Sequence, residues 1–496
     1  MNEAFLTVDE IRDTTPELSY NKLKDKLELL RTNGVTKVIF PANDYNNNKI
    51  LSLEIPLGGT SIVPPLQIDF NGWTLQVKNN NTSLFVLFAF GKWDAELNRN
   101  TYVTNENIDK LDFRDCPNLS SGRKLLVLED RKEWVYRTDS NDTDPKFRKD
   151  ILVLNDGLGI NSPIASYKTP STALAYGYYD ISEEPVVIEN LTFKRDLTSS
   201  CVTCLLSMAG RCDVTFKNIN IGFLQDVSVM PIPFWGDCCF RLVNCANVTF
   251  KNINVNHTYS SNSNGGYAFN LENVYNCYFY NVSAMAYWGV FGTNNMNKVY
   301  LYQCTLNRFD IHCYGKDVRM VECIFENTLS VTNRYNQFSS FYGLLYFERC
   351  IFKSFYPVLF ESSHHAYSKH DIVLDNCTLD GNNPEGTLIR AGRIENNANK
   401  RIEFSKTNWP NVHVINLELE NYPSGTTLYI FKLLSAPVSP NTNTLGYISQ
   451  LSVSLSEDSP NVTVSFSNYN NLVTDNEITS MSTHNDITIT NMPSHV

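Results

Sequence analysis

"VTFKNINI" (residues 214–221) returns 34 residues later as "VTFKNINV" (248–255), nearly the same octapeptide with unrelated sequence between. A strand rewritten at that distance marks a chain that winds back over itself. As a template, apolar–x–apolar–x–Asn–apolar–x–apolar, the pattern also fits "VVIENLTF" (186–193), "CYFYNVSA" (277–284), "VYLYQCTL" (299–306) and "VRMVECIF" (318–325). It fits "LYFERCIF" (345–352) and "IVLDNCTL" (372–379) too, with a weaker copy in "IEFSKTNW" (402–409) and an early one in "IDFNGWTL" (68–75). The fifth position is held by Asn190, Asn218, Asn252, Asn281, Gln303, Glu322, Arg349, Asn376 and Lys406, at intervals of 19 to 34 residues.

Alternation ahead of the fifth residue places Val214 and Phe216 on one face of a strand. It then slips by one, so that Ile219 and Ile221 share that face. The change of phase needs a bend, and Asn adopts the left-handed conformation more readily than any residue except Gly. Gly72 holds the position in the early copy. Two strands meeting at a left-handed corner, repeated with loops of varying length, predict a right-handed parallel β-helix. Cys304, Cys323, Cys350 and Cys377 each follow the corner, where Leu191, Ile219, Ile253 and Val282 stand in other copies. They are expected to form a buried column, since buried thiols pack as small hydrophobes.

Over 496 residues, 42% hydrophobic and 12% aromatic content suffices for a large core, while charged residues reach only 19%. A net charge of −11 without a Lys/Arg cluster argues against nucleic acid and against an anionic membrane as partners. The longest apolar stretch, "LFVLFAF" (84–90), is too short to span a bilayer, and "MNEAFLTVDEIRDTTPE" does not read as a secretion signal. "CVTC" (201–204) has no second Cys or His pair at ligand spacing, so neither a metal nor another cofactor is expected.

Three regions follow. Residues 1–66 read as an N-terminal cap with a helix over 16–33: Thr15 as N-cap, Pro16 in the first turn, Leu23, Leu27 and Leu30 as a stripe, and Gly34 as the stop. Residues 67–410 hold the β-helix, interrupted by an insertion around 81–180. Beyond 411 the template fades, and "LSVSLS" (451–456) and "VTVSFS" (462–467) alternate strictly between turn residues, which predicts a small antiparallel β domain over 411–496.

The opening, an amphipathic helix followed by "GVTKVIFPANDY" (34–45) and then the repeat, resembles the start of the pectate-lyase-like parallel β-helix family of phage tailspikes and tail fibres, with Asn43-Asp44 where that family has Gly. The resemblance implies a homotrimeric component of a virion tail, made in the host cytoplasm, which contacts other tail proteins and recognises a bacterial surface polysaccharide. Members of the family sometimes cleave it. A stand-alone polysaccharide lyase or glycoside hydrolase, and a structural virion component without activity, are the alternatives.

A depolymerase of the glycosidase kind needs two carboxylates on one face, and a lyase needs a base with a charge-neutralising partner. Between the corners lies a second strand per turn, as in "YAFNLE" (267–272), "FDIHCY" (309–314) and "PVLFES" (357–362). With Phe309 and Ile311 inward, Asp310 and His312 face out, and so do Glu272 and Glu361 on their strands. Asp310, Glu361, Glu272 and His312 are therefore the catalytic candidates, expected to line one groove. Tyr287, Trp288 and Phe291 in "AYWGVFG" (286–292), with Trp235 in "PFWGD" (233–237), are the candidate glycan-binding aromatics. No metal site is expected.

Overall fold

The computed structural model describes residues 2–43, 48–81, 85–91, 97–99, 103–135, 146–161, 175–196, 203–224, 238–257, 267–286, 289–326, 335–338, 341–353, 356–360, 368–381, 386–391, 411–433, 451–460, 462–467 and 489–490. It has two compact units, Met1–Leu128 with Asp150–Gly292, and Glu129–Lys149 with Thr293–Val496.

In the first unit the strands Gln67–Asn79, Val186–Arg195, Thr203–Phe223, Cys238–His257 and Tyr267–Ala286 stack in parallel as coils of a β-helix. The two octapeptides lie side by side in register, Val214 against Val248, Phe216 against Phe250 and Ile219 against Ile253. Each predicted corner is left-handed, with φ of 61° at Asn190, 54° at Asn218, 54° at Asn252, 52° at Asn281 and 79° at Gly72. The Asn side chains hydrogen-bond along the stack. The Asn190 amide donates to Asp69 Oδ1 at 2.9 Å, Asn218 to Asn190 at 2.9 Å, Asn252 to Asn218 at 2.9 Å and Asn281 to Asn252 at 3.1 Å.

Two further left-handed corners precede Asn218, Asn252 and Asn281. They fall at Gly210 and Asp213, Asn244 and Asn247, and Asn273 and Asn276, three residues apart and with a five-residue side before the next corner. They carry ladders of their own, Asn247 donating to Asp213 at 2.8 Å, Asn276 to Asn247 at 2.9 Å and Asn273 to Asn244 at 2.8 Å. Inside, Phe216, Phe250 and Phe279 stack at 4.8 Å between successive centroids, the spacing of neighbouring strands. A second column, Phe240, Phe269 and Phe291, stacks at 5.1 and 5.0 Å and meets the first edge to face.

The cap helix is Pro16–Thr32, and the Thr15 side chain accepts from the Leu18 amide at 3.2 Å. Tyr20, Leu23 and Leu27 are buried beneath it, and Gly34 has φ 74°. Ahead of it a strand, Glu3–Phe5, pairs in parallel with Lys37–Ile39, and a one-turn helix spans Val8–Ile11. Neither was legible from the repeat.

The insertion starts later than the sequence suggests, because Phe85–Phe90 is a coil strand paired with Thr203–Met208. The described insertion contains the helix Asn105–Lys110 and a four-stranded sheet in which Arg123–Val135 runs antiparallel to Ala175–Asp180, and Lys146–Asn155 antiparallel to Leu158–Gly159. One face of the sheet packs on Phe113 and Leu119. The other, with Leu125, Val127 and Tyr179, packs on Cys212, Ala246 and Tyr275 of the coils.

The second unit is built on the same rule. Val318, Leu345, Ile372 and Val412 align inward, as do Met320, Phe347, Leu374 and Val414. Gln303, Glu322, Arg349 and Asn376 are left-handed at φ 53°, 54°, 49° and 51°. Cys304, Cys323, Cys350 and Cys377 follow them as the expected buried column. Eleven cysteines of the described residues, these four included, are free and buried. Burial raises the Cys323 and Cys350 thiols well above their ordinary range.

The expectation of an antiparallel C-terminal domain is overturned. Asn411–Glu420, Thr427–Leu433, Leu451–Leu455, Thr463–Ser467 and Ile489–Thr490 all pair in parallel, continuing the coil. Strict alternation shows only that one face of a strand is buried, and a β-helix side meets that condition as well as an antiparallel sheet does. The template does not fade at 411 either. "VHVINLEL" (412–419) is a full copy with its corner at Asn416, φ 50°, whose amide donates to Asn376 at 2.7 Å. Leu417 takes the place of the cysteine. Lys406, the corner proposed for this turn, lies outside the described residues.

Candidate functional site

The second-strand candidates in the second unit are carried on Asp310–Val321 and the residues before it. Phe309 and Ile311 are buried and alternate with Asp310 as the sequence implies. Asp310 nevertheless does not line an open groove. It is 0% exposed, and Arg308, 1% exposed, closes on it with Nε 2.5 Å from Oδ1. The backbone is braced around it: Thr293 Oγ1 donates to the Asp310 carbonyl, and Asn336 Oδ1 accepts from the Phe309 amide at 2.9 Å while its Nδ2 donates to the Pro357 carbonyl at 3.2 Å. His312, also buried, holds Nε2 3.8 Å from Asp310 Oδ2, beyond hydrogen-bond range. Among the described residues Oδ2 itself has no hydrogen-bond partner. A buried carboxylate oxygen left unbonded is costly to keep, and a movement of roughly 1 Å would let the imidazole reach it. Asp310 itself is closed to a polymeric substrate.

Glu272 is half-buried in the first unit, in register with Val243. It therefore belongs to a different compact unit from Asp310. Phe291, expected to stack on a sugar, is a core residue: it is 0% exposed and ends the inner column against Phe269 and Phe279. The correction has a simple cause: Val290 and Phe291 are both buried, and the Phe291 ring packs inward on the phenylalanine columns instead of facing solvent. Glu361, Tyr287, Trp288 and Trp235 lie outside the described residues.

The structure draws attention instead to the outward face of the first strands in the second unit. Tyr300, Arg319, Tyr346 and Val373 align from coil to coil, and His413 and Ser452 follow in the same row. The Arg319 guanidinium lies 5.0 Å from the Tyr346 ring centroid and pairs with Glu348 at 2.5 Å. The Tyr346 hydroxyl donates to Asp375 Oδ2 at 2.5 Å, and that bond, with burial, pushes the phenol up to about 12. Arg349 joins Glu348 to Glu322, the latter at 2.9 Å. Pairing with Arg319 holds the Glu348 carboxyl below its usual range. Tyr300, Arg319 and Tyr346 were missed because the template marks them only as "x". The period-two signal that buries Val318 and Met320 also sends Arg319 outward, so they could have been collected from the same repeats.

A polar cleft of about 690 Å³ also opens on the insertion, among Glu106, Asn107, Lys110, Asp112 and Arg114. Its charges are spent on each other, Lys110 on Glu106 at 2.5 Å and Arg114 on Asp112 at 2.6 Å. No group of three or more His, Cys, Asp or Glu side chains that could hold a metal occurs among the described residues. Among them, no helix is long and apolar enough to cross a membrane.

No protein-family model matches the sequence, and no curated protein does. Among solved structures, the tailspike protein gp49 from Pseudomonas phage LKA1 superposes with a TM-score of 0.51 at 12% identity, covering 90% of this chain and 71% of that one. The chain has the fold of that tailspike. Gp54 tailspike of Acinetobacter baumannii bacteriophage AP22, solved in complex with A. baumannii capsular saccharide, matches with a TM-score of 0.49 at 10% identity over 90% of this chain and 74% of its own. The Pseudomonas phage phi297 tailspike gp61 gives 0.41 at 12% identity, over 92% and 74%.

Proposed function

We propose that this chain is a tail-associated spike of a bacterial virus, assembled as a homotrimer beside other tail proteins, that recognises a polysaccharide of the host surface. The observation that carries the reading is the outward face around Tyr300, Arg319 and Tyr346. It offers aromatic surface beside planar charged groups already locked by mutual bonds, so little side-chain freedom remains to be lost on binding. Sugar rings stack on aromatic faces, and their hydroxyls bond to planar carboxylates and guanidinium groups. The coils present this surface at ~4.8 Å steps, close to the length of one pyranose in an extended chain. The fold likeness to a tailspike supports the setting. Recognition is favoured over cleavage because Asp310 is closed off by Arg308 and shows no exposure.

The test is a binding panel of purified bacterial capsular and lipopolysaccharide glycans, with Tyr346→Ala as the control variant. A bound glycan whose affinity falls at least tenfold in the variant is the expected result. Equal binding by the variant would remove the face from consideration. Chain-length analysis of the same glycan after incubation reports depolymerase activity, and Asp310→Asn then tests the buried cluster. Light scattering should return about 170 kDa for a trimer of 56.5 kDa chains.

A further inference from the structure

Three arginines of the second unit pair with carboxylates: Arg308 with Asp310, Arg319 with Glu348, Arg349 with Glu322. Arg390 differs from these three. It is half-buried on the strand Thr387–Ala391, and among the described residues no carboxylate lies within ion-pair distance of it. Its Nε is buried without a hydrogen-bond partner. Among the described residues the guanidinium is held by its place 4.5 Å above the ring of Tyr356, which is itself 8% exposed. In register, Arg390 follows Leu359 and precedes Lys432, so a second cationic residue arrives one strand further on. Asp310 heads the same row, through Gln337 and Leu359, about 14 Å away at three strand spacings. At that separation it is no ion-pair partner for Arg390, and Asp310 is already paired with Arg308.

We propose that Arg390, seated on Tyr356, is an anion-recognition subsite that takes the carboxylate of an acidic sugar, and that the polysaccharide bound by this chain carries uronate or similar carboxylate-bearing residues. The inference rests on the polysaccharide reading above and narrows it to a substrate class. A guanidinium stacked on an aromatic ring keeps its planar fork of donors in one orientation, and that fork fits the two oxygens of a carboxylate. In a chain of net charge −11, a cationic residue left without a carboxylate does not serve general attraction to anions. Its use is local. The ring beneath it supplies apolar surface at the foot of the subsite.

The probes are alginate, polygalacturonate and hyaluronate, each beside its carboxyl-reduced form, with phenylglyoxal modification of arginines read by peptide mass. Arg390 should react faster than the paired Arg319 and Arg349, and at least one uronate polymer should protect it while its reduced form does not. Arg390→Gln should weaken that polymer at least tenfold and leave the thermal midpoint near that of the parent. Protection in the parent protein needs no variant, so the inference stays open to refutation if Arg390→Gln folds poorly. It is overturned if no uronate polymer protects Arg390, if inorganic phosphate protects it and no uronate does, or if Arg390→Gln binds the polymer as the parent does. Should reduced or neutral glycans bind equally well, this subsite fails while the polysaccharide reading stands. Should no glycan of any kind bind, it is the broader reading that fails.

Discussion

Asn218 offers a clean separation of two contributions to the corner. Its side chain donates to Asn190 and accepts from Asn252, both at 2.9 Å, while its backbone sits at φ 54°. Replacing it by Ala removes two side-chain hydrogen bonds, each contributing about 0.5–1.5 kcal/mol net. It also forces a Cβ-bearing residue without a compensating polar side chain into the left-handed region, at about 1–2 kcal/mol. The expected loss is therefore about 2–5 kcal/mol. Asn218→Gly loses the same two bonds but adopts the backbone freely, against an extra entropy cost of about 0.5–1 kcal/mol. Glycine should be the milder substitution by about 1 kcal/mol, which inverts the usual order within a strand. Coils touch only their neighbours, so the effect should be read locally as well as globally. Urea unfolding would supply the midpoint, and hydrogen exchange of peptides within 186–195, 203–223 and 238–257 would show where protection falls. If Ala proves as stable as Gly, or if protection drops equally in distant coils, the account of the corner is wrong.

Phe250→Ala removes a ring that contacts Phe216, Phe240, Phe269 and Phe279, and should cost about 3–5 kcal/mol, with Phe250→Leu retaining most of it; the unfolding midpoints decide this. Glu322→Asn should relieve a left-handed glutamate but lose its bonds to Gln303 and Arg349, so Gln303→Asn, Glu322→Asn and Arg349→Asn combined, which would rebuild an amide ladder, should match or exceed the parent in thermal stability where Glu322→Asn alone falls short. Cys323 and Cys350, buried and with raised thiols, should resist alkylation in the native protein and react on unfolding, as mass spectrometry of trapped peptides would record. Tyr346, pushed up to about 12 by its bond to Asp375, contributes stability that is complete below the ordinary phenol value of about 10 and is lost as the pH climbs through about 12. Ultraviolet titration should show one fewer tyrosine ionising late in Asp375→Asn.

The side of each coil was legible because it obeys a local rule: Phe216 and Ile219 must both reach the core, and only a left-handed residue between them allows it. The other corners were equally local. Asn244, Asn247 and Asn252 share their spacing with Asn273, Asn276 and Asn281, and reading all three together would have delivered a whole coil rather than one side. The C-terminal error arose because alternation in "LSVSLS" reports burial of one face and says nothing of strand direction. Asp310 shows the further limit. Its strand phase follows from Phe309 and Ile311, but its exposure depends on Arg308 folding back over it, which no periodicity encodes. The unpaired state of Arg390 is likewise a property of neighbours brought together from distant parts of the sequence.

The in-register match of the two octapeptides has a bearing on how such a chain can change over generations. Val214 faces Val248, Thr215 faces Thr249, Phe216 faces Phe250 and Lys217 faces Lys251, so near-identical residues meet at every step. A gene that lost the 34 codons for residues 214–247 would join Asp213 to Val248 and bring "VTFKNINV" beside Val186–Arg195, whose Ile188 would meet Phe250 where it now meets Phe216. On the adjoining side Leu206, now against Phe240, would meet Phe269, which already has Phe240 for a neighbour. No contact of a new kind would need to be invented. The number of coils is thus a quantity that gain or loss of one repeat in the gene can raise or lower by one, and the spacing between surfaces carried on different coils can be inherited as a whole-number variable.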